Sequence, residues 1–311
     1  MTLLFGDPLF LEHETGAHPE SPQRLRSIWN RLDATGLSGR CPRGETRLAT
    51  AAEIARSHDP KYIEQLQEFC ERSPGRIEAD TVVSRRSFDA ALLAAGTALA
   101  AVDAVVQGVD QSALCLVRPP GHHALPASAM GFCLFNNVAV AAEHALRTHH
   151  LHRVLIVDWD VHHGNGTQDM FYERDDVWFF SAHRSPFYPG TGDADETGKG
   201  PGLGATFNLP LKFGVSRKEY LARFETMLRD AADRCRPDLL LLSAGFDAHR
   251  DDPVGDLGLE TEDYIALTNM VRAVARQHCR GRLVSLLEGG YDVDALAESV
   301  GVHLETLLEP A

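Results

Sequence analysis

The sequence predicts one α/β domain built on a parallel sheet, and three observations carry that prediction. Short apolar runs recur along the chain, segments with helical periodicity separate them, and polar residues able to do chemistry gather directly behind the runs. The runs are Ala113–Val117, Val154–Val157, Val177–Phe180, Leu239–Leu242 and Leu283–Leu287. Each is short and almost wholly apolar, the mark of a strand covered on both faces.

The intervening helices are expected at Asn137–Arg147, Ser216–Cys235 and Thr261–His278, where apolar residues fall at helical spacing. Ser216 followed by Glu219 has the spacing of a capping box. Ala90–Val102 is the longest apolar stretch and stops at Asp103. That is short of the roughly 20 residues a membrane span needs, so it reads as a buried alanine-rich helix. The region before about residue 80 is expected to supply helices and loops around the sheet. Pro189–Gly204, with its glycines and Asp193, Asp195 and Glu196, reads as a long functional loop. No repeat or linker divides the chain, so residues 1–311 are taken as one domain.

Composition narrows the function. The chain is 44% hydrophobic and 24% charged, as in a soluble globular protein. Its net charge of −14 argues against a nucleic-acid partner, which would require a basic face, and suits a cationic substrate. The cysteines (Cys41, Cys70, Cys115, Cys133, Cys235 and Cys279) form no CxxC pair and read as reduced thiols. Asp7 interrupts the short apolar start, so no leader is read there, and neither a membrane partner nor export is expected; the expected location is cytoplasmic. His149, His150 and His152 close a helical segment and read as solvated.

In open α/β sheets ligands bind beyond the carboxyl ends of the strands. Behind four of the runs stand Arg118-Pro-Pro-Gly-His122-His123, Asp158-Trp-Asp160-Val-His162-His163-Gly-Asn165, Ser243-Ala-Gly-Phe-Asp247 and Glu288-Gly-Gly-Tyr291. If the strand continues, Asp160 and His162 point to the same side and can share an ion. Asp247 completes a set of three ligands with an open position, the pattern of a catalytic zinc centre, which iron(II) or cobalt(II) would also accept. Taken singly, an Asp-x-His pair is usually structural and Asp247 could be a helix N-cap; their coincidence at strand ends favours the metal. His122 and His123, on a backbone path fixed by Pro and Gly, could serve as general base and acid, with Asp158 and Asn165 as partners for their second ring nitrogens. Tyr291 could donate to a developing oxyanion, or could simply be a buried tyrosine with one hydrogen bond.

Together these segments resemble the histone deacetylase family. The resemblance spans most of the chain through His18-Pro-Glu-x-Pro-x-Arg24, His58-x-Pro-x-Tyr62, Arg118-Pro-Pro-Gly-His-His, Gly131-Phe-Cys-x-Phe-Asn-Asn137, Asp158-x-Asp-x-His-His-Gly-Asn165, Pro189-Gly-Thr-Gly192, Ser243-Ala-Gly-Phe-Asp247 and Glu288-Gly-Gly-Tyr291. Asn165, where class I members usually carry Asp, points to the class II branch. The resemblance implies the arginase–deacetylase fold with a sheet of about eight strands. It implies zinc, with iron(II) as the alternative, on Asp160, His162 and Asp247, and tandem catalytic His122 and His123 paired with Asp158 and Asn165. Tyr291 would polarise the scissile carbonyl, and Gly131, Phe132 and Tyr188 would line the acyl-lysine channel. A structural potassium ion would use the backbone of Asp158, Asp160 and His162 with Ser181.

The expected activity is removal of acetyl or other acyl groups from lysine in proteins or peptides, with small acylated amines such as acetylpolyamines as the alternative substrates. Val254 stands seven residues after Asp247, where one polyamine-specific branch has glutamate, and favours acyl-lysine. A two-metal ureohydrolase would need further aspartates where Gly164 and His249 stand. A non-catalytic acyl-lysine binding protein would be expected to lack a ligand or Tyr291, and none is lacking.

Overall fold

The computed structural model describes residues 1–309. The chain opens with β1 (Thr2–Phe5), α1 (Pro22–Ala34), α2 (Ala51–Ile54) and α3 (Pro60–Arg72), then a small ladder of β2 (Gly75–Arg76) with β3 (Val82–Val83), and α4 (Ser87–Val106). Strands and helices then alternate: β4 (Ser112–Cys115), α5 (Asn137–Arg147), β5 (Val154–Asp158), α6 (Asn165–Phe171), β6 (Val177–Arg184), β7 (Thr206–Leu211), α7 (Arg217–Cys235), β8 (Leu239–Ala244), α8 (Thr261–Cys279), β9 (Leu283–Leu287) and α9 (Val293–Leu308).

Seven strands form one parallel sheet in the order β1-β4-β9-β8-β5-β6-β7. The parallel α/β architecture is the one the sequence predicts, with seven strands where the resemblance implied about eight. Leu239, Leu240, Leu241 and Leu242 are all fully buried. At about 1.5–3 kcal/mol for each buried leucine, this burial outweighs the intrinsic helix preference of a leucine run.

Two strands escape the periodicity. β1 is only four residues long. β7 contains Pro210, which normally argues against a strand, but β7 is the sheet's edge and needs no ladder donor on its outer side. β6 runs four residues beyond the apolar stretch because Ser181 and His183 satisfy each other at 2.9 Å, and His183 also contacts the Gly192 carbonyl at 3.0 Å.

α4 is also longer than its apolar stretch suggests. Its 20 residues are long and apolar enough to cross a membrane by length and composition, yet Ala90, Ala94, Ala98 and Val102 are buried in the core, and α4 packs on α5. At α7 only the forward half of the capping box forms: the Ser216 hydroxyl accepts from the Glu219 N–H. His150 and His152 are exposed as expected, but His149 is not simply solvated: its Nε2 lies 2.6 Å from the Asp103 carboxylate.

The Pro189–Gly204 segment is pinned down. Glu196 accepts from Gln168 Nε2 at 2.5 Å and from Gly192 N at 3.1 Å, and His163 bonds Thr191 at 2.7 Å. Asp193 and Asp195 point to solvent.

Candidate active site

β4, β5, β8 and β9 lie together in the sheet, so the segments leaving their carboxyl ends converge. The Asp158 carboxylate accepts from Asp160 N at 3.0 Å and turns the chain as β5 ends. Asp160 Oδ1 accepts from His162 N at 2.9 Å, and Asp247 Oδ1 accepts from Val161 N at 2.9 Å, which ties the β8 loop to the β5 loop. His162 Nδ1 then faces Asp160 Oδ1 at 3.0 Å and Asp247 Oδ2 at 3.2 Å. One donor atom from each of these buried residues lies within 4.8 Å of the others.

Whether the site fits a metal is decided by charge. Asp158, Asp160, Asp247 and Glu288 are all buried, a concentration of negative charge that a dry interior does not tolerate unbalanced. Burial alone would lower the pKa of His162, but its bonds to Asp160 and Asp247 outweigh that and push it up to about 9. Burial together with the Asp160 charge pushes Asp247 up to about 7. Two carboxylates and an imidazole that hold a positive charge this firmly suit a divalent ion of the zinc or iron(II) type. Gly289 completes the cradle: its N–H donates to Asp160 Oδ2 at 2.8 Å, and a Cβ there would fall on the Asp160 and Asp247 carboxylates. Gly289→Ala is therefore expected to abolish tight metal binding while leaving the overall fold, which metal analysis beside a circular-dichroism spectrum checks.

The two histidines have different partners. His122 Nδ1 meets Asp158 Oδ2 at 3.0 Å, whereas His123 Nδ1 meets the Asn165 side-chain oxygen at 2.7 Å. Burial would lower His122, but the Asp160 and Asp158 charges override it and push the pKa up to about 10. Burial lowers His123 well below the usual imidazole range, and the charges of His122 and His162 lower it further. An amide oxygen at Nδ1 requires the proton there, so the His123 Nε2 lone pair is free.

Above this floor lies a cavity of about 240 Å³. Phe132, Phe187, Tyr188 and Val254 supply its apolar lining, and Asp80 lines it as well. The Tyr291 ring sits edge-on to Phe132 with centroids 5.7 Å apart, and the Arg24 guanidinium lies 5.0 Å from its centroid. Gly131 adopts φ 56°, and a Cβ there would strike the His123 ring.

Sequence reasoning missed several residues that build this geometry. The sequence offers Glu288 only as part of a motif. Its carboxylate accepts from Gly121 N at 2.7 Å, His122 N at 3.2 Å and Ser243 Oγ at 3.1 Å, clasping three strand ends. Asp252 accepts from Tyr291 N at 2.6 Å and from Val254 N and Gly255 N, both at 2.9 Å, which couples the tyrosine to the channel wall. Its place in an Asp-Asp-Pro turn was the only signal available. Asp80 lies far away in sequence, and nothing local announces it.

A cavity over a triad of metal-type ligands, with two histidines of different partners beside it, is equipped to polarise a carbonyl and to move a proton. The histone deacetylase domain profile matches residues 18–307. Histone deacetylase 14, chloroplastic, of Arabidopsis thaliana is 40% identical over 324 residues, spanning 98% of this chain and 76% of that protein. The histone deacetylase-like amidohydrolase of Pseudomonas aeruginosa is 40% identical over 275 residues, 88% of this chain and 72% of that protein. Polyamine deacetylase HDAC10 of Homo sapiens is 43% identical over 305 residues, 94% of this chain and 45% of that protein. The crystal structure of the HDA15 HD domain superposes with a TM-score of 0.93 at 37% identity, covering 99% of this chain and 88% of that one. The chain belongs to the histone deacetylase family, and deacetylation of an acylated amine is the activity this membership supports.

Proposed function

We propose that the chain is a metal-dependent amidohydrolase that removes acetyl or other acyl groups from lysine side chains in proteins or peptides, releasing a carboxylate and the free amine. The observation that carries this reading is the channel whose lining includes His162, His123 and Tyr291 together. Held by Asp160, His162 and Asp247, zinc or iron(II) would supply Lewis acidity to the carbonyl and acidify the attacking water.

The protein's own groups do the rest. His123, neutral and with its Nε2 lone pair free, accepts the proton of the attacking water and returns it to the leaving amine. His122 is held in place by Asp158, 3.0 Å from its Nδ1, and that carboxylate favours positive charge on the ring beside the developing anion. The Tyr291 hydroxyl donates to the carbonyl oxygen as it becomes an oxyanion, and burial keeps that phenol protonated. Phe132, Phe187 and Tyr188 give the four-carbon lysine stem an apolar passage. A structural potassium ion on the backbone of Asp158, Asp160 and His162 with Ser181 belongs to the same reading, supported by the register that pairs Asp158 with Ser181.

Apolar Val254 at the channel wall supports acyl-lysine over acetylpolyamines. Val254→Glu is expected to shift the ratio of kcat/KM for acetylspermidine over an acetyl-lysine peptide upward by roughly tenfold or more, since one well-placed charge is worth about 1.4 kcal/mol or better. Gly164 and His249 give no support to a second metal: His249 turns aside and its Nδ1 accepts from Asp251 N at 3.2 Å. A reducing compartment such as the cytoplasm suits the six free cysteines, all buried. The acidic charge offers nothing to nucleic acid.

The test is acyl release by metal-stripped protein, with and without added zinc(II), on acyl-lysine peptides and acetylpolyamines. Zinc-restored turnover highest on peptides supports the proposal. Higher efficiency on acetylpolyamines overturns the substrate assignment, and metal-independent turnover overturns the mechanism.

A further inference from the structure

A second group of metal-type ligands lies well away from the channel. Asp103 is in the last turn of α4 and His144 in the last turn of α5, with His149 just beyond it. α5 starts beside the catalytic loop, where Asn137 Nδ2 donates to the Pro119 carbonyl at 3.1 Å, and runs toward the opposite edge of the sheet, where β5 begins at Val154. The cluster therefore sits at the edge remote from the catalytic histidines.

Its geometry is close. His144 Nε2 and His149 Nε2 approach the same oxygen, Asp103 Oδ1, at 2.7 Å and 2.6 Å. The rings cross edge-to-face with centroids 5.4 Å apart, so both nitrogens aim at one point. Side-chain exposure is 5% for His144, 14% for His149 and 31% for Asp103, which leaves an approach from solvent on the carboxylate side.

From these contacts we propose that Asp103, His144 and His149 form a second site for a divalent transition ion of the zinc, cobalt or nickel class, which fastens the end of α4 to the end of α5. Two imidazoles and a carboxylate are the ligand types such ions take, at about 2.0–2.2 Å each. Tetrahedral bonds of that length set ligand atoms about 3.3 Å apart, so the nitrogens need retreat from the carboxylate oxygen by well under an ångström.

The proton bookkeeping also closes. Without the ion, each Nε2–H donates to Asp103. With it, both protons move to Nδ1: at the partly exposed His149 water accepts, and at His144 Thr148 Oγ1 waits at 3.1 Å and can accept as readily as donate. Arg56 donates to the same hydroxyl at 3.2 Å, fixing it in place. The nearby Arg47 charge is neutralised by its two bonds to Glu53, at 3.0 Å and 2.7 Å. Both helices also end here, and their negative dipole ends favour a cation.

The experiment is a cobalt(II) titration of the chelator-stripped full chain, read by visible absorption and by metal analysis after desalting. Wild type is expected to bind two equivalents, His162→Ala one, His149→Gln one, and the double variant none. His149→Gln should keep its melting temperature in the absence of metal but lose the metal-induced rise that His162→Ala retains. If His162→Ala binds no ion, or binds one that His149→Gln leaves in place, the proposal is overturned and the three side chains are a hydrogen-bonded clasp alone. These readouts need no turnover, so they stand apart from the outcome at the catalytic site.

Discussion

Replacing His123 with alanine is expected to lower kcat by about 10²–10⁴-fold, the usual worth of a positioned acid–base group. The metal content should not change, because His123 bonds Asn165 and not the triad. The pH profile gives the sharper reading. His123 must be neutral to act, and burial holds its pKa well below the ordinary imidazole value. A bound cation pushes in the same direction. The acid limb of kcat/KM should therefore fall below about pH 6.5, the free-imidazole value. Asn165→Asp adds a carboxylate at Nδ1, favours the imidazolium, and should carry that limb to higher pH. An acid limb that stays in place in Asn165→Asp would assign it to another group.

Tyr291→Phe removes one hydroxyl and nothing else. The expected loss is about 10²–10³ in kcat, the cost of deleting one oxyanion donor, with KM changed far less. The aromatic contact with Phe132 and the Arg24 guanidinium over the ring survive the substitution, so stability should hold. A KM effect in place of a kcat effect would make Tyr291 a wall of the channel and not a donor to the transition state.

The parallel sheet was legible because Leu239–Leu242 and Val154–Val157 are apolar runs too short for a buried helix and are followed at once by polar residues. β7 was not, since Pro210 speaks against a strand and only its place at the edge excuses it. The candidate site was legible where its residues follow strands directly, as His122, Asp160 and Tyr291 do. Asp252, Asp80 and Glu288 act through backbone amides or from distant loops, and such roles leave no spacing to read. His149 shows the same limit: its partner Asp103 is separated by 46 positions and is met only through the packing of α4 on α5.

The reacting groups stand at the ends of four strands buried in one sheet, cross-tied by Glu288; Phe132 and Val254 of the channel wall share the connections that carry His123 and Asp247, whereas Asp80 and Tyr188 come from segments without a reacting group. Chemistry and selectivity are thus inherited partly on the same stretches of chain, and only Asp80 and Tyr188 stand on stretches of their own. Drift at Asp80 and Tyr188 can retune which acylated amine enters with the least disturbance of the bond-breaking apparatus, whereas a change beside Val254 is passed through Asp252 to Tyr291.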